Sequence, residues 1–219
     1  MKKLTFLSIV IFLSLQSCII DGWDQGISGN GNVLEETRDI SGFTGVKVSS
    51  GIDVYLSQGN SFEVRVEADE NLQEVIVTEK EGNILIVKTE RVSIRNAKSK
   101  KVHVTLPDLK EIKISSAGDL RLEVDAQRID LDISSSGDAD IDGTADEFNV
   151  SLSSAGDLNA FDLIAANVDV DVSSAGNASV HATDEISMNA SSAGNINYRG
   201  DARVIHSQSS SAGNISHRD

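Results

Sequence analysis

The chain has 219 residues and carries 34 acidic against 19 basic side chains, a formal net charge of −15 at neutral pH. Because the phosphate backbone of nucleic acid is also anionic, so acidic a chain argues against nucleic acid as a partner. Cys18 is the only cysteine, which excludes an internal disulfide. After Leu15 no segment is apolar over the roughly 20 residues that a membrane-spanning helix needs.

The first residues predict export and lipid anchoring. Lys2 and Lys3 precede an apolar stretch that ends at Leu15, which is typical of a signal peptide. A serine then precedes Cys18, and this arrangement resembles a bacterial lipobox, in which the cysteine thiol is acylated. We therefore predict a signal peptide over residues 1–17 and a lipidated Cys18. The alternative is an ordinary secretory signal that contains a cysteine.

The same segment sets the expected location and the start of the folded part. We expect an outer-membrane protein anchored through its lipid. The sequence is consistent with either the periplasmic or the surface face of that membrane. Residues 18–34, rich in Gly and Asn, are predicted as the lipidated cysteine and a flexible tether, and residues 35–219 as the folded domain. Removal of residues 1–17 leaves 17 basic and 34 acidic residues, a net charge of −17.

A five-residue motif, Ser-Ser-Ala/Ser-Gly-Asp/Asn, occurs six times in the second half of the chain. Successive motif glycines are 19, 19, 20, 18 and 19 residues apart. Near-constant spacing of this kind indicates a solenoid built from stacked repeats. The motif glycines are Gly118, Gly137, Gly156, Gly176, Gly194 and Gly213.

Between the motifs, apolar and polar residues alternate, which is the period of a β-strand and not of a helix. Aligned on the motif, the apolar positions form columns, for example Ile129, Phe148, Val168, Ile186 and Ile205. Stacked repeats would bury such columns as one continuous face. The sequence therefore predicts an all-β solenoid with coils of about 19 residues. The motif is its corner, where glycine is expected to supply a positive φ.

The last motif position distinguishes a structural role from cation binding. Asp119, Asp138 and Asp157 would stack about 4.8 Å apart and repel one another. The later repeats carry Asn177 and its successors there, which keep the acceptor oxygen and lose the charge. The column is therefore predicted to supply hydrogen-bond acceptors, with a bound cation as the alternative.

Three features together resemble the head GIN domain family of autotransporter-adhesin-like proteins. They are Phe43-Thr44-Gly45-Val46, the segment Ser50-Gly51-Ile52-Asp53-Val54 followed by Gly59, and the six repeats. The resemblance covers residues 35–217. It implies a single-stranded right-handed β-helix that follows a lipoprotein signal, and it implies no catalytic residues.

Aspartates two residues apart on one strand are the candidates for catalytic residues. Carboxylates at such separations run inverting glycoside hydrolysis, but the general acid must be desolvated, and these residues are predicted on an outward face. We therefore predict no enzyme activity. Calcium held between carboxylates of adjacent strands is the remaining cofactor hypothesis. The four candidates are Asp130, Asp132, Asp169 and Asp171.

The predicted function is a cell-envelope lipoprotein that presents a β-helical binding or scaffolding surface, of the adhesin type. Its expected partners are the membrane, through the lipid anchor, and a glycan or another envelope protein. A polysaccharide-active enzyme or carbohydrate-binding protein on the same fold is the alternative, and a structural or regulatory envelope partner is a third. One cationic segment contains Arg91, Arg95, Lys98, Lys100 and Lys101. We predict a solvated strand and turn whose lysines protect a sheet edge, with a contact for anionic lipid or glycan as the alternative.

Overall fold

A computed structural model describes residues 26–90, 92–115, 117–134, 136–153 and 155–218. The predicted all-β solenoid is confirmed, since the described residues form 17 strands and one 3-10 helix, Glu70–Leu72. Residues 1–25, with the predicted signal peptide and Cys18, lie outside the described residues. No helix in the described part is long and apolar enough to cross a membrane.

The first half of the chain mixes parallel and antiparallel pairing. Strand β5 pairs antiparallel with both β2 and β9, and β6 pairs antiparallel with β7. The strands are β1 (Ile27–Ser28), β2 (Val33–Arg38), β3 (Gly45–Val48), β4 (Asp53–Gln58), β5 (Glu63–Asp69), β6 (Ile76–Glu81), β7 (Ile84–Thr89), β8 (Ile94–Arg95) and β9 (Lys100–Leu106).

The second half is the repeat region, and all its strand pairs are parallel. Leu120 pairs with Ala139, and Ala139 pairs with Leu158, so the repeats stack in register at this column. Register shifts occur within the β12–β13, β13–β14 and β14–β16 pairs. The strands are β10 (Glu111–Ile114), β11 (Leu120–Ile133), β12 (Ala139–Leu152), β13 (Asp157–Val172), β14 (Asn177–Ala190), β15 (Asn195–Arg199), β16 (Arg203–Ser209) and β17 (Asn214–His217).

Each long strand contributes to two sheets. The first half of β11 pairs with β4, whereas its second half pairs with β10. We call the two stacks the first sheet (β2-β5-β9-β4-β11-β12-β13-β14-β15-β17) and the second sheet (β6-β7-β3-β10-β11-β12-β13-β14-β16). In the first half of the chain the spatial order departs from the sequence order, because β7 and β9 lie below β3 and β4.

The core lies between the two sheets and is continuous. The column before the motif, from Ile114 through Ile133, Leu152 and Val172, is almost fully buried. Burial of such a side chain stabilises the fold by about 1.5–3 kcal/mol. The buried cluster runs from Phe43 to Ile196, so residues 26–219 contain the whole described core.

Ile205, the last residue of one predicted apolar column, is not buried with the other members of that column. Val204 pairs with Ile186, and a register shift follows directly after this pair. Ile205 therefore lies at an irregularity of β16 and is 53% exposed.

The motif forms the corner, but its glycine acts differently from the prediction. Gly118, Gly194 and Gly213 do not have positive φ. In the last two corners the positive φ falls on the preceding residues, at 53° and 69° for Ser192 and Ala193. The Gly194 N–H closes this turn on the carbonyl oxygen of Ser191 at 2.9 Å.

Close approach to the preceding coil explains the glycine. A Cβ at Gly118 would stand 2.1 Å from the carbonyl oxygen of Ile52, and one at Gly213 would stand 2.5 Å from that of Ala190. At Gly194 the obstacle is the Val172 side chain, at 2.7 Å. The corner therefore excludes a side chain at this position because the coils stack too closely.

Two single substitutions in one corner distinguish close approach of the preceding coil from a required positive φ as the reason for the glycine. Gly194→Ala should lower the free energy of unfolding by about 1–3 kcal/mol, because the new methyl group overlaps the coil below. Ala193→Gly should leave it unchanged or raise it by up to about 1 kcal/mol, because it relieves a left-handed alanine. Urea unfolding measures both, and the opposite order of stabilities would contradict the close-approach explanation.

Asp69 attaches the start of the described chain to the solenoid. It is completely buried, and its carboxylate accepts hydrogen bonds from the backbone N–H groups of Gly31, Lys98 and Ser99 at 2.8, 2.9 and 3.0 Å. The predicted tether extends to residue 34, but β1 and β2 already place residues 27–28 and 33–38 in strand pairing. The attachment to the fold thus begins before residue 34.

Asp69 should make the protein acid-sensitive. Burial alone raises the pKa of Asp69, but its three backbone donors and Lys98 hold the pKa below the ordinary value of 3.8. The stabilisation is therefore complete above about pH 4 and is lost as the pH falls through the folded-state pKa. Asp69→Asn should cost about 2 kcal/mol at pH 7, and the difference from the wild type should shrink in acid. Equal unfolding free energies at pH 7 would contradict this role.

Candidate binding surface

The last motif position forms a ladder of Asp and Asn along the first sheet, in which several neighbouring rungs are joined by hydrogen bonds. The N–H of Asp119 donates to the Asp53 carboxylate at 3.3 Å, and the N–H of Asp157 donates to that of Asp138 at 3.2 Å. The amide of Asn177 donates to Asp157 at 2.6 Å, and the following motif asparagine donates to Asn177 at 2.9 Å. The ladder confirms that this position supplies hydrogen-bond acceptors to the next coil.

The acidic part of the ladder is electrostatically unfavourable. Partial burial, followed by the neighbouring carboxylates of Asp53 and Asp138, raises the pKa of Asp119 above its ordinary value. Farther along, asparagines replace aspartates, and the side-chain amides of Asn177 and Asn195 each donate to the preceding rung, so hydrogen bonding there replaces repulsion.

Asp119→Asn should therefore stabilise the protein. The substitution keeps the acceptor oxygen, removes a charge between two others and adds a donor. Because Asp119 is exposed and its interactions are screened, the gain at neutral pH should be less than about 1 kcal/mol. It should be larger at low ionic strength, as measured by thermal unfolding. A lower melting temperature for Asp119→Asn would show that the charge itself is required.

The four predicted calcium ligands do not lie on adjacent strands. Asn149 stands between Asp130 and Asp169, and Ser151 stands between Asp132 and Asp171. The paired carboxylates are thus two rungs, about 10 Å, apart. In the described part of the chain no group of three or more His, Cys, Asp or Glu could hold a metal ion. Bridging of adjacent strands by these four residues is wrong, and calcium binding by the chain stays a prediction.

The predicted cationic segment does not form one free basic surface. Lys100 donates to the carbonyl oxygen of Gly51, and Lys101 lies 3.6 Å from the Glu67 carboxylate. Arg95 and Lys98 are exposed, whereas Arg91 lies outside the described residues. The segment therefore forms a corner of the solenoid whose lysines also hold neighbouring coils.

A polar cleft opens where the regular stacking begins. Strand β4 ends at Gln58 and the chain leaves towards β5, whereas β11 on the neighbouring rung continues through its bend into the second sheet. The step leaves a cleft of about 800 Å³, within the size range of ligand sites. Its lining is formed by Ser57, Gln58, Gly59, Asn60, Pro107, Glu123, Val124, Asp125, Gly143 and Thr144.

Gln58 and Asp125 also line a second cleft of about 550 Å³, which extends the first. We call the two together the bend groove. Its second part is lined by Asp108, Lys110, Ala126, Gln127, Arg128 and Asp130. The groove thus presents carboxylates, amides, hydroxyls and two cations along one continuous surface.

Hydrogen bonds fix the centre of the bend groove. Gln58 accepts from the backbone N–H of Asp125 at 2.9 Å and donates to the carbonyl oxygen of Pro107 at 3.0 Å. The Thr144 hydroxyl donates to the Asp125 carboxylate at 2.5 Å. Burial raises the pKa of Asp130, but hydrogen bonds from Arg128 and Asn149 outweigh it and hold the pKa below the ordinary value. The groove is therefore preformed, and Asp130 in it is ionised.

Sequence reasoning did not find the bend groove. Its residues come from β4, from the segment after β9 and from two repeats, and the motif does not connect them. Two signals were present: Pro107 is the only proline, and Gly143 interrupts the apolar column that contains Val124. Gly143 has a φ of 123°, and its backbone lies against that of Val124.

The chain belongs to the family described as "Putative auto-transporter adhesin, head GIN domain", whose profile matches residues 42–202. The resemblance inferred from the motifs is thereby confirmed. No curated protein is significantly similar to the chain.

Solved structures share the fold at low sequence identity. An adhesin-like protein of Bacteroides fragilis is 18% identical with a TM-score of 0.71, over 88% of this chain and all of that one. One from Parabacteroides merdae is 20% identical with a TM-score of 0.56, over 88% and 99%. A protein of Parabacteroides distasonis named for lipid binding is 25% identical with a TM-score of 0.51, over 88% and 99%.

Proposed function

We propose that this protein is a non-enzymatic, lipid-anchored binding protein of the cell envelope, which holds an extended polar ligand of the glycan class in the bend groove. The observation that carries the proposal is the groove itself, whose polar groups are held in place by hydrogen bonds to the backbone of neighbouring rungs. Membership of an adhesin-like family supports a role in surface binding.

The chemistry of the groove favours a sugar over a lipid. Sugar hydroxyls pair with carboxylates, amides and hydroxyls, all of which line the groove. An acyl chain needs an enclosed apolar cavity, but the space between the sheets is filled by the column side chains. The polar lining of the bend groove therefore does not support the lipid binding for which the Parabacteroides distasonis structure is named.

Binding without catalysis is the better explanation of the carboxylates. Glycoside hydrolysis requires one carboxyl with a raised pKa to act as general acid. Asp130 in the groove has a lowered pKa, because Arg128 and Asn149 donate to its charged form. A carboxylate that stays ionised is suited to accept hydrogen bonds from a ligand.

Glycan binding by residues 26–219 tests the proposal. We expect binding on a glycan array, and we expect Glu123→Gln to weaken it about tenfold, equivalent to about 1.4 kcal/mol. Glu123 is exposed in the cleft, so its replacement should leave the melting temperature unchanged. Glu74→Gln, an equally exposed change outside the groove, is the matched control. Equal binding by both variants, or no glycan bound at all, would contradict the proposal.

The lipid anchor is tested separately. Cys18→Ala should release the protein from membranes, because diacylation provides the two chains that stable attachment requires. Membrane fractions from cells that express each form, washed with high salt, give the measurement. A Cys18→Ala protein that still sediments with membranes would refute anchoring through this residue.

A further inference from the structure

The two ends of the solenoid differ in how their strand edges are protected. At the end formed by the first half of the chain, the edge strands β2 and β6 each carry three charged residues out of six. Charged edge strands discourage pairing with another chain. At the other end the edges are β16 and β17, each of which has one strand neighbour among the described residues.

The second end is exposed, and Arg203, which is ion-paired with Glu185, is the only Asp, Glu, Lys or Arg in its strands β16 and β17. All seven residues of β16 are exposed, and Val204 and Ile205 are 44% and 53% exposed. Residues 204–217 contain no Asp, Glu, Lys or Arg. We call β16 and β17 together the open end.

Negative charge is concentrated in the middle of the chain and not at the open end. Residues 114–177 carry fourteen acids and two arginines, a net charge of −12. Residues 26–113 carry fourteen acids and twelve basic residues, a net charge of −2, and residues 178–218 carry three acids and three arginines and are neutral. Two copies would repel each other where the coils of residues 114–177 face one another. The open end lies outside this acidic region, so two copies can approach there without that repulsion.

We propose that the open end binds a second copy of this chain, tail to tail, around a twofold axis. Ser210 donates its N–H to Ala190, so alternation along the strand directs the backbone groups of Ser207 and Ser209 to the unpaired side. A twofold axis across the stack reverses the strand direction, so that β16 and β17 pair antiparallel with their counterparts. The contact covers the half-exposed Val204 and the partly buried Ile215 at the end of the core.

This contact produces a dimer and does not lead to longer assemblies. A twofold interface uses the same surface on both partners, and the opposite end of each copy is protected by its charged edge strands. The proposal is independent of glycan binding, since β13 and β14 separate the strands that line the bend groove from the open end.

Sedimentation equilibrium of residues 26–219 at micromolar concentrations tests the proposal. The wild type should be a dimer, and Ile205→Lys should be a monomer, because it places a charge at the paired edge. Leu34→Lys is the matched control: Leu34 is 41% exposed on an edge strand at the opposite end, so this variant should remain a dimer. Circular dichroism confirms that each variant is folded.

A second open-end variant tests the same contact without introducing a charged side chain. Ser207→Pro deletes an N–H that points away from β14, so the ladder within the molecule is kept while pairing with a second copy is blocked. Monomers for both open-end variants and a dimer for Leu34→Lys support the proposal. A monomeric wild type, or dissociation by Leu34→Lys alone, would overturn it.

Discussion

In-register parallel stacking of the coils is the constraint on which the rest of this structure depends. Most residues of β12 lie about 4.8 Å from paired residues on β11 and β13, so these positions must tolerate near-copies of themselves above and below. Apolar side chains satisfy this inside, where they pack into continuous columns. At the corner the same spacing leaves no room for a Cβ at Gly118, and on the outside it brings aspartates within repelling distance.

The candidate site exists because the stacking is interrupted. In the repeats, each chain segment passes from one sheet to the other through a bend, but β4 and β9 stop short of it. The step between these strands and β11 opens the bend groove, and Gln58 bonds to both sides of it. The fold thus gains this recess at the junction of its irregular and regular halves.

The repeat region could be predicted from the sequence because one structural unit recurs there and the alternation of residues reports burial directly. The order of the first half could not, since β7 and β9 insert below β3 and β4 without the motif that marks later corners. The motif glycines were correctly placed at the corners, but positive φ was the wrong reason for them. The close approach of the preceding coil requires glycine there, and a local sequence pattern does not report the distance between coils. The predicted bridging of adjacent strands by carboxylates was wrong for a similar reason: Asp130 and Asp169 match in sequence, but Asn149 lies between them.

Amide hydrogen exchange, resolved along the chain, tests in-register stacking most directly. A ladder in which each central coil is bonded on both sides should give the slowest exchange in β11 to β14. Protection should fall towards the edge strands β2 and β6, which have one neighbour each in the described fold. Rapid exchange throughout β11 to β14, with protection confined to residues 26–106, would contradict a continuous solenoid.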